Sequence, residues 1–162
     1  VNNVGVVITE VHRAENELGT ELLRVADRQQ TDHEVHHLAG DLARWSHQHV
    51  RALAVTGRRF GLDLDPEPEH DSALRAAVRQ KGSELLGRHH TPALLLLRDL
   101  RRIHVLAAGV SVDWELLAQA AQAMRDSDLL ALTQRCHPQT LRQMRWANAK
   151  LKESAPQIVV TG

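Results

Sequence analysis

The chain has 162 residues, 20 basic against 20 acidic side chains and no net formal charge, which leaves neither a basic surface for nucleic acid nor an acidic tail. Hydrophobic residues make up 43% but aromatic residues only 2%, and the strong helix formers Ala, Leu, Arg, Gln and Glu dominate, so a single all-α domain over residues 1–162 is expected. The lone Cys136 excludes an internal disulfide framework and fits a reducing cytoplasm, the start VNNVGVVITE lacks the regions of a secretion signal, and no apolar run approaches the roughly 18 residues of a membrane span.

The first predicted helix runs from Val4 to about Gln29, because Val4, Ile8, Val11, Leu18, Leu22 and Val25 recur at the three-and-four spacing that lines one helical face. Glu15 falls inside that stripe. Thr31 or Asp32 can cap a second helix, with Glu34 in its first turn, that fades at Phe60-Gly61. Its stripe is Val35, Leu38, Leu42, Trp45, Ala52 and Thr56, and the residue inside it is His49. If the turn centres on residue 32, Glu15 and His49 lie equally far from it, so a carboxylate and an imidazole face each other within a helical hairpin.

Leu62 to Asp71, with Pro66 and Pro68, reads as an irregular connection, followed by a short helix from Asp71-Ser72 to Leu86 closed by Gly87. Thr91-Pro92 is a strong helix start, a threonine cap before proline at the first helical position. The third long helix then runs to Met124 on Leu96, Leu100, Ile103, Ala107, Val110, Trp114, Leu117, Ala121 and Met124, with the β-branched run Val110-Ser111-Val112 as a place of interruption. After a turn at Asp126-Ser127, the last helix is expected from Leu129 to about Lys152. Its expected inner face is Leu130, Thr133, His137, Leu141, Met144, Asn148 and Leu151, with a kink or split at Pro138 and a stop at Ser154-Ala-Pro. The tail from Gln157 to Gly162 is expected to pack on a neighbour or to be disordered.

Two long hairpins joined by about 30 residues, enough at roughly 1.5 to 3.3 Å per residue to span a long helix, make the connectivity of a ferritin-like bundle. With Glu15 on the inner stripe of the first helix and a histidine at matching depth on the second, the chain resembles the ferritin-like superfamily, in particular its small, stress-associated bacterial members. In that family a glutamate on the first helix and a Glu-x-x-His on the second bind half of a di-iron centre, and the third and fourth helices repeat the arrangement. The resemblance implies Glu15 and His49 as central metal ligands. The second-helix motif reads Ser46-His47-Gln48-His49, so its carboxylate is replaced by Ser46. On the other hairpin the candidates are Asp113, with Glu115 two residues on, and His137, which has Gln134 three residues before it. Two or three inward carboxylates are too few to neutralise a di-iron pair, and Glu15, His49, Asp113 and His137 would instead hold one iron, manganese or zinc ion. No catalytic residue is assigned.

A second reading takes Glu15 and His49 as a buried polar pair, each satisfying the other, in a degenerate, non-catalytic bundle that serves as a structural or interaction protein. Under that reading Glu15→Leu should be tolerated. A remote third reading is a zinc hydrolase, because His33-Glu34-Val35-His36-His37 matches His-Glu-x-x-His; the absence of a preceding strand and the hairpin-end position speak against it. If the third long helix starts at the same end of the bundle, His89 and His90 approach His33, His36 and His37 as a surface metal cluster. The expected partners are a second copy of the chain and an unidentified protein, with Trp45, Trp114 and Trp146 available for core or interface, and neither nucleic acid nor membrane. The expected location is the cytoplasm.

Overall fold

Side chains cap the starts of three of the four long helices of the computed structural model, which describes residues 3–69 and 91–161. Helix α1 spans Val4–Arg28, α2 His33–Gly57, α3 Pro92–Met124 and α4 Ser127–Thr161, with a 3₁₀ turn at Arg58–Phe60. Among the described residues there is no strand. The Asp32 carboxylate accepts the Val35 amide at 3.1 Å and so caps α2, as expected of an acidic N-cap. Thr91 caps α3 by accepting the Leu94 amide, with Pro92 in the first turn. Gly61, at φ 74°, takes the left-handed conformation that lets the chain leave the 3₁₀ turn. At the α3–α4 corner Arg125 is left-handed at φ 54°, and the Asp126 carboxylate accepts the Leu129 amide at 2.9 Å. That amide, with the Arg59 guanidinium, holds the Asp126 carboxyl below its ordinary value.

Side-chain pairs fix the helix directions. Arg28 meets Asp99, Glu21 meets Arg102 and Glu15 meets Trp114, so α1 and α3 run antiparallel. Glu34 meets Lys150, Ser46 meets Gln143 and His49 meets Gln139, so α2 and α4 run antiparallel as well. Helices α2 and α3 therefore point the same way, and the chain between them must travel back along the bundle. Its first part does so along α1. Leu62 packs on Gly5, the Asp65 carbonyl accepts from His12 at 2.8 Å, and Glu69 is held through its amide by Asn16 and through its carbonyl by Thr20. His12, Asn16 and Thr20 stand one helical turn apart, so one face of α1 serves as a track for this strap.

The core contains the predicted apolar stripes of α1 and α3 almost residue for residue, with Ile8, Leu18, Leu22, Leu100, Ile103, Trp114 and Leu117 fully buried. Val110-Ser111-Val112 does not interrupt α3. Three expectations for the last helix are corrected. Pro138 neither splits nor ends it, and Pro156 does not stop it; both prolines are exposed, as are Gln134 and Lys152, whose carbonyls lose their helical donors on the solvent side. The helix also continues through the expected tail to Thr161. Its buried face is Leu129, Leu132, Thr133, Cys136, Thr140, Gln143, Ala147 and Lys150, which is the expected face rotated by one residue, or about 100°. On α2, Ala39, Ala43, Ser46 and Leu53 are buried while Leu38 is exposed and Trp45 half-buried. The expected short helix from Asp71 to Leu86 lies outside the described residues, and no described helix is long and apolar enough to cross a membrane.

Candidate functional site

Glu15 is placed in the interior by the stripe that surrounds it, one turn from Val11 and Leu18, and is 0% exposed; His49, carried inward by α2 at the same depth, is 2% exposed. Their side chains meet at 2.7 Å, His49 Nδ1 to Glu15 Oε1. The same oxygen accepts from Trp114 Nε1 at 2.8 Å and from Thr140 Oγ1 at 3.3 Å. One carboxylate oxygen thus collects a donor from each of the other three long helices. Oε2 has no partner among the described residues.

On its other side His49 Nε2 lies 2.7 Å from Gln139 Oε1. With oxygen acceptors at both ring nitrogens, the imidazole donates twice and is an imidazolium. Burial alone would lower its pKa, but the Glu15 charge, helped by hydrogen bonds to Cys136 and Glu15, outweighs burial and raises it from 6.5 to about 10. The Trp114 ring stands edge-on to the imidazole at 5.8 Å. Next to this pair Gln143 Nε2 donates to Ser46 Oγ and to the Leu42 carbonyl, both at 2.9 Å. Ser46, where a Glu-x-x-His motif would carry its carboxylate, is therefore engaged by an amide.

The other two proposed ligands stand apart from this pair. His137 is half-buried, turned off the α4 core face by the one-residue rotation, and its Nε2 lies 2.8 Å from Ser111 Oγ. Asp113 is half-buried beside α1; burial raises its carboxyl above the ordinary value, Arg13 opposes that, and Glu10 and Glu15 add to it. Among the described residues no three His, Cys, Asp or Glu side chains stand close enough to share an ion. The chemistry of the donor set agrees: an imidazolium has no lone pair for a cation, and Glu15 Oε2 is the one open oxygen of the pair. As arranged, these residues do not fit a metal.

At the start of α2, His33 and His37 stack with centroids 6.4 Å apart and His36 stands edge-on to His37 at 5.1 Å. His36 Nδ1 donates to the Ala26 carbonyl at 2.8 Å, and Glu34, the acid of the His-Glu-x-x-His match, is paired with Lys150 at 2.9 Å. That pair draws Glu34 toward α4, and it holds the Lys150 ammonium above its ordinary value. His89 and His90 lie outside the described residues.

Between α2 and α4, which pack more lightly than the other neighbouring pairs, a groove of about 480 Å³ is lined by Gln48, His49, Ala52, Arg135, Cys136 and Gln139. The sequence reading missed this face of α4, because its polar members Thr140 and Gln143 interrupt the apolar pattern. The available signal was the alternative stripe of Leu129, Leu132, Cys136 and Ala147, one residue out of step. Compared with protein-family models, curated proteins and solved structures, the chain matches none.

Proposed function

We propose that this chain is a ferritin-like bundle in which a self-neutralising ion pair stands where a metal centre would be, and that it works as a structural or protein-interaction module. The observation that carries this reading is the double donation of His49, to Glu15 at 2.7 Å and to Gln139 at 2.7 Å, which puts a proton where a ligand would need a lone pair. The parallel course of α2 and α3 and the return of the chain along α1 support the ferritin-like connectivity. Val105, Val112 and Leu116, exposed on one side of α3, supply an apolar strip for association, in the first instance with a second copy of the chain.

The test is element-specific metal analysis of tag-free protein purified without chelators, beside Glu15→Ala and a His33→Ala/His37→Ala double variant. The expected result is no stoichiometric metal, or metal that only the double variant removes. About one iron, manganese or zinc per chain, lost with Glu15→Ala, would overturn the reading and restore the mixed-ligand site.

A further inference from the structure

The groove between α2 and α4 brings together one nucleophile and one proton donor. Cys136 Sγ, a free thiol on the buried face of α4, lines the groove beside His49 and Gln139, while Arg135 and Gln48 form its exposed rim. Glu15 holds His49 by Nδ1 from behind, so the ring's other N–H points to Gln139 on the groove side. Sulfur and imidazole thus line the same groove, with the carboxylate behind the imidazole, as a nucleophile and an oriented acid-base group require.

The surroundings select the chemistry. Acyl transfer needs donors for a developing oxyanion, most often backbone N–H groups. Here every groove residue lies in the interior of α2 or α4, where backbone donors are consumed by the helix, and Pro138 removes a donor rather than freeing one. A peroxide asks for less: a sulfur to attack one oxygen and a proton for the other.

We propose that the groove is a hydroperoxide-reactive site in which Cys136 is the nucleophile and His49 the proton donor. The S–O bond forms as the O–O bond breaks, and the leaving oxygen takes the groove-side proton of His49, which the thiol proton then replaces. The thiol and the hydroperoxide become sulfenic acid and an alcohol, or water from hydrogen peroxide; sulfur is oxidised by two electrons and the peroxide reduced by two. Glu15 is a positioning residue.

The test treats the chelator-washed protein with hydrogen peroxide, traps sulfenic acid with dimedone and follows labelled Cys136 by mass spectrometry, with Cys136→Ser as blank. The folded chain should react at least about tenfold faster than the same chain in denaturant, because the groove holds a proton donor for the leaving oxygen beside the sulfur. His49→Gln should remove most of that advantage. Ala52→Leu, which fills the groove from α2 while keeping Glu15, His49 and Cys136 themselves, should slow the reaction with the fold intact, and it decides the matter if His49→Gln does not fold. A folded chain no faster than the denatured one, or an unchanged rate in Ala52→Leu or in folded His49→Gln, overturns the proposal. Because no metal takes part, this result and the metal analysis can fail independently.

Discussion

Glu15 and His49, 34 residues apart in sequence, form a fully buried ion pair at 2.7 Å. Two desolvated charges are expensive, and their attraction repays the cost only when further hydrogen bonds satisfy both partners. Here Trp114, Thr140 and Gln139 provide those bonds. The pair therefore ties all four long helices at one depth, and sliding any helix by a turn would leave a charge without its partner.

The stability of the fold should fall on the alkaline side. A proton held more tightly by the folded than by the unfolded chain stabilises the fold; its contribution is complete below 6.5, the ordinary imidazole value, and is lost as the pH rises to about 10. The expected effect is on the order of a few kcal/mol. Thermal melts of the wild type and His49→Gln across that range should show a gap that narrows steadily with pH. A gap that stays constant would mean that the ring is neutral in the folded chain.

Removing one partner should be far worse than removing both. Glu15→Ala or Glu15→Leu leaves the buried His49 ring without the charge that holds its proton and strands the Trp114 and Thr140 donors, at a cost of about 3–5 kcal/mol. This differs from the expectation from sequence that leucine is tolerated at position 15, because periodicity placed His49 opposite Glu15 but not the two further donors on that oxygen, Trp114 and Thr140. Adding His49→Leu to Glu15→Leu should recover a large part of the loss. Urea unfolding of the four proteins gives the coupling, and additive losses would show that the pair contributes nothing as a pair.

Close approach of α1 to α2 depends on Gly19. A Cβ there would lie 3.0 Å from His47 Cδ2 and 3.2 Å from Ser46 Cβ. Leucine at this position gains up to about 1 kcal/mol of helix propensity over glycine, but overpacking a tight contact costs about 1–3 kcal/mol and should prevail. Gly19→Leu is expected to lower the urea midpoint. A midpoint at or above that of the wild type would show that the hairpin opens freely.

How legible the fold was depended on what each helix turns inward. On α1 and α3 the fully buried apolar residues recur at helical spacing, and that spacing named the buried face. On α4 the inward stripe includes Thr140, Gln143 and Lys150, the partners of Glu15, Ser46 and Glu34. Half-buried Leu130, Met144 and Leu151 flank it, so hydrophobicity pointed one residue away and carried His137 into the expected site. Glu15 and His49 were legible because each is the polar exception in an otherwise apolar stripe. Gln139 and Cys136 were not, since nothing local distinguishes a groove residue from a packed or solvated one.

The ion cluster that joins α1 to α3 should be worth more than a surface pair. Arg28 grips Asp99 with two nitrogens, at 2.7 and 3.1 Å, and also reaches Glu21 at 3.1 Å. Asp99 and Glu21 are buried. Glu21 keeps Arg24 and Arg102 if Arg28 is lost, whereas among the described residues Asp99 keeps a long contact to Gln29 at 3.4 Å. Arg28→Ala should therefore strand Asp99 and cost about 1–3 kcal/mol, less than a fully buried pair because the guanidinium is partly exposed. Arg28→Lys retains the charge but not the two-pronged geometry and should fall between the two. Adding Asp99→Asn to Arg28→Ala should return part of the loss, since the stranded group is then neutral. The check is urea unfolding of these variants at low and at high salt: a solvated cluster would place Arg28→Ala within about 0.5 kcal/mol of the wild type and would weaken with added salt, whereas a buried one keeps most of its effect.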